Sequence, residues 1–205
     1  VPATGKNPTD LSFDDTFTTD VFSIFGQYSI DLSDATELSL EGRYDKEKRS
    51  VDNNVPARSS ALYYGGGAPI NPAMTAGGSK IPSRDKSYDQ FQPKISLTTT
   101  AENTTVYASY GVGFRSGGFN SSGSAALINS QLNIPVSAGL GVSDSFNKEV
   151  SKSFEVGFKG RYLDGRLAIN GALFETEVDD NQFFEFFAGP WGLLRVVTSI
   201  DQLDI

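Results

Sequence analysis

Residues 153–182 read SFEVGFKGRYLDGRLAINGALFETEVDDNQ, and the fold turns on how this stretch is divided. Phe154, Val156, Phe158, Gly160 and Tyr162 alternate with Ser153, Glu155, Lys159 and Arg161. A period of two with one apolar side predicts a strand with one apolar face. Asp164-Gly165 follows, a hairpin signal because both residues accept the positive φ of a type I′ turn. Leu167, Ile169, Gly171 and Leu173 then return opposite Ala168, Asn170 and Ala172. The stretch is therefore predicted to be a hairpin.

The same unit recurs upstream. From Val21 to Leu32 the residues Phe22, Ile24, Tyr28, Ile30 and Leu32 share one parity, and after Ser33-Asp34-Ala35 it resumes with Leu38, Leu40, Gly42 and Tyr44. Phe91, Ile95, Leu97 and Thr99 form a third run, which turns at Ala101-Glu102-Asn103 into Val106, Ala108, Tyr110, Val112 and Phe114. A final strand is expected from Leu193 to near Ile205. Helix signals are scarce.

The connections are unequal. One set of turns is tight, whereas Ser50 to Ser87 and Ser116 to Lys148 are long and rich in Gly, Pro, Ser and Asn. Tight turns at one end and long loops at the other is the layout of an outer-membrane barrel. Long structureless loops count against a compact soluble sandwich.

Composition restricts the chemistry. The chain of 205 residues carries a net charge of -8, which disfavours nucleic acid as a partner because phosphate binding needs clustered cations. It contains no cysteine and no histidine, so thiolate metal sites, Ser-His-Asp triads and nearly every catalytic zinc site are excluded. No apolar run is long enough for a transmembrane helix, but a barrel strand needs only about 9 to 11 residues. The opening residues, VPATGKNPTD, have neither a basic n-region nor an apolar core and are expected to belong to mature or interior sequence.

Three segments carry a family resemblance: FGQYSIDLSDATELSLEGRYDKEKRS (25–50), VYASYGVGFRSGGFN (106–120) and the 153–182 hairpin. Together they resemble the barrel of TonB-dependent outer-membrane receptors. The resemblance implies an all-β, antiparallel transmembrane barrel of about 22 strands, of which this chain supplies about seven. Residues 1–205 are then an internal piece of the barrel domain, with the plug domain and both barrel ends lying outside it. Short turns at Asp34, Asn103 and Asp164 are expected to face the periplasm, and the long loops the cell exterior. The location implied is the bacterial outer membrane.

By the same resemblance the complete protein is a non-enzymatic active importer of a scarce bulky nutrient, with an iron-siderophore complex the default ligand. Its partners are that ligand, outer-membrane lipid, and the TonB complex acting through the missing plug. No cofactor is implied. Two other classes stand beside this one: a passive porin-like or adhesin-like barrel, and a soluble β-sandwich hydrolase using carboxylates.

Candidate ligand contacts fall in the long-loop region. Arg58, Tyr63 and Tyr64 sit among glycines, Arg115 opens the second loop, and Trp191 follows the run Phe183-Phe184-Glu185-Phe186-Phe187. Aromatic faces and flexible cations suit planar or anionic ligands. Loop anchoring and an interfacial aromatic girdle account for the aromatic residues as well. Glu175, Glu177 and Asp179 share a face, which reads as an acidic rim or, less simply, a calcium site. Gly111-Val112-Gly113 lacks the further glycine and following helix of a phosphate loop.

Overall fold

The computed structural model describes residues 13–55, 80–131, 141–189 and 192–204. In chain order they form β1 (Asp15–Ser33), β2 (Thr36–Asn53), β3 (Arg84–Ala101), β4 (Thr104–Arg115), β5 (Gly118–Phe119), α1 (Ser124–Gln131), β6 (Ser145–Phe146), β7 (Glu149–Tyr162), β8 (Leu167–Gly189) and β9 (Gly192–Asp204). Seven of the strands make one antiparallel meander in the order β1-β2-β3-β4-β7-β8-β9, and β5 and β6 make a small separate ribbon. The large sheet is open: β1 and β9 are its two edges.

Three tight turns lie at one end of the sheet. The β7–β8 turn holds Leu163 and Asp164 at φ 55° and Gly165 at φ 83°, and it is closed by Arg166 N–H donating to the Leu163 carbonyl at 3.1 Å. Ser33 to Thr36 and Ala101 to Thr104 make the other two, the latter with Glu102 at φ 50°. The long connections, from β2 to β3 and from β4 to β7, both lie at the opposite end.

Register sorts the side chains into two faces, because directly paired residues point the same way. One row across six strands reads Gln27, Glu41, Lys94, Gly111, Ser153 and Thr176. The adjacent row reads Tyr28, Leu40, Ile95, Tyr110, Phe154 and Glu175. The first row is polar. Five of the six residues in the second are large, apolar or aromatic, and exposed, with Tyr28 at 67% and Phe154 at 51%. An exposed apolar face of this extent is stable only against lipid. Ile169, opposite Gly160, belongs to that lipid face, and Asn170, opposite Lys159, to the polar one.

Glycines within the strands receive aromatic rings. Tyr107 is the register partner of Gly157, where an added Cβ would lie 2.7 Å from the tyrosine ring. Phe158 lies over its partner Gly171 in the same way, at 2.9 Å. One pair is on the polar face and the other on the lipid face.

The strands outrun the alternating apolar pattern. β2 continues to Asn53, β3 begins at Arg84, and β8 runs on to Gly189, so Phe183–Phe187 is paired strand rather than loop tip. Across Asp180, a non-glycine residue at φ 53°, the faces of β8 exchange. Below it the even positions Ala172, Phe174 and Thr176 share the polar face; above it the odd Phe187 packs inward and Phe184 and Phe186 stand exposed. The stretch 116–148, which the sequence pattern leaves as loop, contains α1 and the β5–β6 ribbon.

Candidate functional site at the long-loop end

The connection after β4 folds back across the polar, concave side of the sheet. Leu127 and Ile128 of α1 are fully buried with Val142, Leu194 and Val196, and Phe13 and Phe187 pack against them. Gly117 lies against the ring of Tyr88, whose hydroxyl donates to the Phe146 carbonyl at 3.3 Å. Burial pushes the Tyr88 hydroxyl above its ordinary pKa, so it remains a donor.

Long-range hydrogen bonds pin this loop to the strands around it. Asp144 caps α1 from across the loop: its Oδ1 accepts from Ala125 N–H at 2.7 Å and the Ser124 hydroxyl at 3.1 Å, and its Oδ2 accepts from Gly123 N–H at 2.9 Å. These satisfy donors that a helix start otherwise leaves unpaired. Asp15 of β1 accepts from Ser122 N–H at 2.8 Å. Gln182 of β8 donates to the carbonyls of Ser116 and Asn147 at 2.9 and 2.8 Å. The Asn120 side chain donates to the Val197 carbonyl of β9 at 2.8 Å and accepts from its N–H at 2.7 Å.

Cations ring the root of the loop. Arg84 lies over the Phe119 ring at 5.1 Å and 3.7 Å from Asp144, and its Nε and Nη2 are buried with no hydrogen-bond partner among the described residues. The ammonium of Lys86 sits 5.1 Å from the Tyr88 ring centre. Lys148 donates to the Asp89 carbonyl and to Gln90 at 2.8 and 2.9 Å. Arg115 is 62% exposed and only loosely paired, 3.9 Å from Glu149. The geometry offers hydrogen-bond donors, positive charge and aromatic faces.

Of the residues singled out from sequence, Arg115 stands where expected, at the loop root. Arg58, Tyr63, Tyr64 and Trp191 lie outside the residues whose side chains are described. Arg84, Lys86 and Tyr88 fall in a stretch whose sequence reads as loop; their alternation with Asp85, Ser87 and Asp89 is the signal of the strand they belong to. The acidic run is ion-paired: Lys152 reaches Asp179 at 2.8 Å and Glu177 at 3.7 Å. At this outer rim Asp179 holds the Lys152 ammonium above its ordinary pKa.

A meander with a lipid face, a polar concave face and an inward-folded loop at one end defines a wall of an outer-membrane β-barrel. The family model described as TonB dependent receptor-like, beta-barrel matches residues 2–202, and the chain belongs to that family. Its place is the bacterial outer membrane, with the tight turns periplasmic and the long loops outside. Solved structures share the fold. The closed form of the ferric-catecholate import receptor Fiu from E. coli K12 is 21% identical at TM-score 0.55, with 94% of this chain and 25% of that chain covered. The ferric yersiniabactin uptake receptor FyuA from Yersinia pestis is 14% identical at TM-score 0.54, covering 82% and 22%. The copper transporter OprC is 17% identical at TM-score 0.57, covering 92% and 26%. The chain thus spans about a quarter of the length of the solved structures it matches. Comparison with curated proteins finds no match.

Proposed function

We propose that this chain is the middle of a receptor barrel that actively imports a metal complex, most simply an iron-siderophore. In this reading a plug domain and the remaining strands lie outside the chain, and an inner-membrane TonB complex acts through that plug. The protein performs no covalent chemistry. The observation that carries the reading is the inward fold of the described loop residues 116–131 and 141–148: pinned over the polar side, they narrow the mouth, and Lys86 and Arg115 stand at their root. The match to the TonB dependent receptor-like barrel family favours this reading over a passive pore. Anionic chelates suit these cations, and proteins of the same fold include receptors for ferric complexes and a copper transporter. Arg58, Tyr63, Tyr64 and Trp191 complete the proposed contact set from the outer loops.

The test uses the complete receptor in cells lacking other such receptors. Iron-labelled hydroxamate, catecholate and carboxylate chelates and a copper complex are offered with and without a protonophore. Accumulation of one complex that stops with the protonophore is the expected result. Slow entry of small sugars that ignores the protonophore, with no chelate accumulated, makes the barrel a passive one. Arg115→Ala should weaken chelate binding while leaving surface expression intact.

A further inference from the structure

β9 has one edge against β8 and the other unpaired among the described strands. Val197 is the register partner of Phe184 on β8. In an antiparallel ladder, alternate residues turn their N–H and C=O toward opposite neighbours. Both groups of Val197 bond to the Asn120 side chain, at 2.7 and 2.8 Å, so they point to the edge away from β8. A carboxamide offers one acceptor and one donor side by side, much as an adjacent strand would.

Asn120 is itself held firmly. It is buried, its Nδ2 also donates to the Ser143 carbonyl at 2.8 Å, and its backbone N–H donates to the Asp144 carbonyl at 2.9 Å. Asp144 in turn caps α1. One buried amide therefore joins the inward loop to the outer part of the β9 edge.

We propose that Asn120 is a stop for strand pairing: the next strand of the complete barrel pairs with β9 from the periplasmic end up to Ser199 and no higher. Below the stop the edge-facing backbone groups are those of Ser199 and, past the exchange of faces opposite Asp180, of Gln202 and Asp204, because Leu203 pairs with the inward-facing Val178 and turns its own groups to β8; these receive that strand. From Val197 outward the loop takes its place. The height of the barrel wall and the inward seating of the loop are thereby set by a single side chain. The inference rests on the reading of this chain as part of a longer barrel.

Two measurements on the complete receptor in detergent or nanodiscs test it. Residue-resolved amide exchange should find the Val197 amide protected, and Asn120→Ala should speed its exchange about tenfold or more, as loss of its one hydrogen bond requires. The Ile200 amide, which faces β8, should not change. A Val197 amide that stays slow in Asn120→Ala means that a strand holds that edge, which overturns the stop. Proline substitution supplies the second measurement and does not depend on Asn120→Ala assembling. Val197→Pro should yield an assembled, heat-modifiable barrel, whereas Gln202→Pro, placed where a strand must pair, should not. Loss of assembly in both overturns the stop alone. Assembly in both makes β9 a true edge and overturns the longer barrel.

Discussion

The two ends of this sheet are stabilised by different physics. Near the tight turns the wall is one layer thick, and its large side chains, such as Leu173 at 77% and Tyr28 at 67%, lie open on the lipid face. Near the long loops the wall is two layers thick. Every fully buried side chain among the described residues, including Val51, Leu127, Ile128 and Val196, lies at that end. The first region depends on lipid as its second layer, and the second makes its own. Damage to either should therefore be local, and of a different kind.

The largest effect is expected in the outer layer. Leu127→Ala empties a fully buried site and should cost the loop about 2–5 kcal/mol. Faster amide exchange and protease cleavage within 116–131, without loss of barrel assembly, is the expected pattern. Loss of assembly would make the two regions one cooperative unit.

Ile169→Arg probes the lipid-dependent region. Ile169 stands about four residues above the Asp164–Gly165 turn, roughly 10 Å into the apolar band at a strand rise near 3.3 Å and a tilt near 40°. Arginine there should cost about 2–4 kcal/mol in folding titrations, and Asn170→Arg on the polar face much less. Equal, small costs would remove the lipid-facing assignment of this hairpin.

Gly157→Ala should cost about 1–3 kcal/mol, since the new methyl displaces Tyr107 in a place with no slack. Thermal unfolding with Tyr107→Ala in the same background should recover only the part owed to the ring, since the methyl also meets the Gly171 carbonyl oxygen at 2.8 Å. Asp144→Ala removes the cap of α1 and should cost the loop about 1–2 kcal/mol, read by exchange at Gly123 and Ala125. Smallest of all is Lys48→Ala. Its contact with Asp85 is 3.7 Å between side chains more than half exposed, and stability should move by less than about 0.5 kcal/mol.

What the sequence discloses follows the same division. In the membrane region lipid and water impose opposite demands on alternate residues, so the 153–174 hairpin and its turn can be read directly. Further out both faces meet water. Lys46, Lys48 and Ser50 then alternate with Glu47 and Arg49, the period of two loses its polarity contrast, and strands are judged to end while their backbones continue. α1 was illegible for another reason: its cap is Asp144, about twenty residues downstream and invisible to any local pattern. The exchange of faces at Asp180 likewise rests on one backbone angle that nothing in the neighbouring residues announces. Arg115 was found because it adjoins the glycine departure. Arg84 starts β3 at the end of a Gly- and Pro-rich stretch that reads as loop.

The rings seated on glycines bear on how such a wall is built. A strand approaching a growing sheet can align at several offsets that all satisfy its backbone, since each two-residue slip restores the same polarity of faces. Tyr107 and Phe158 remove that degeneracy at two successive seams. A slip of two would set Tyr107 opposite Glu155 or Lys159, and Phe158 opposite Ile169 or Leu173, where side chains occupy the space that Gly157 and Gly171 leave open. Each recess exists only once its own strand is in place, so the seams act as keyed joints that accept the correct neighbour and arrest incorrect ones before the next strand arrives.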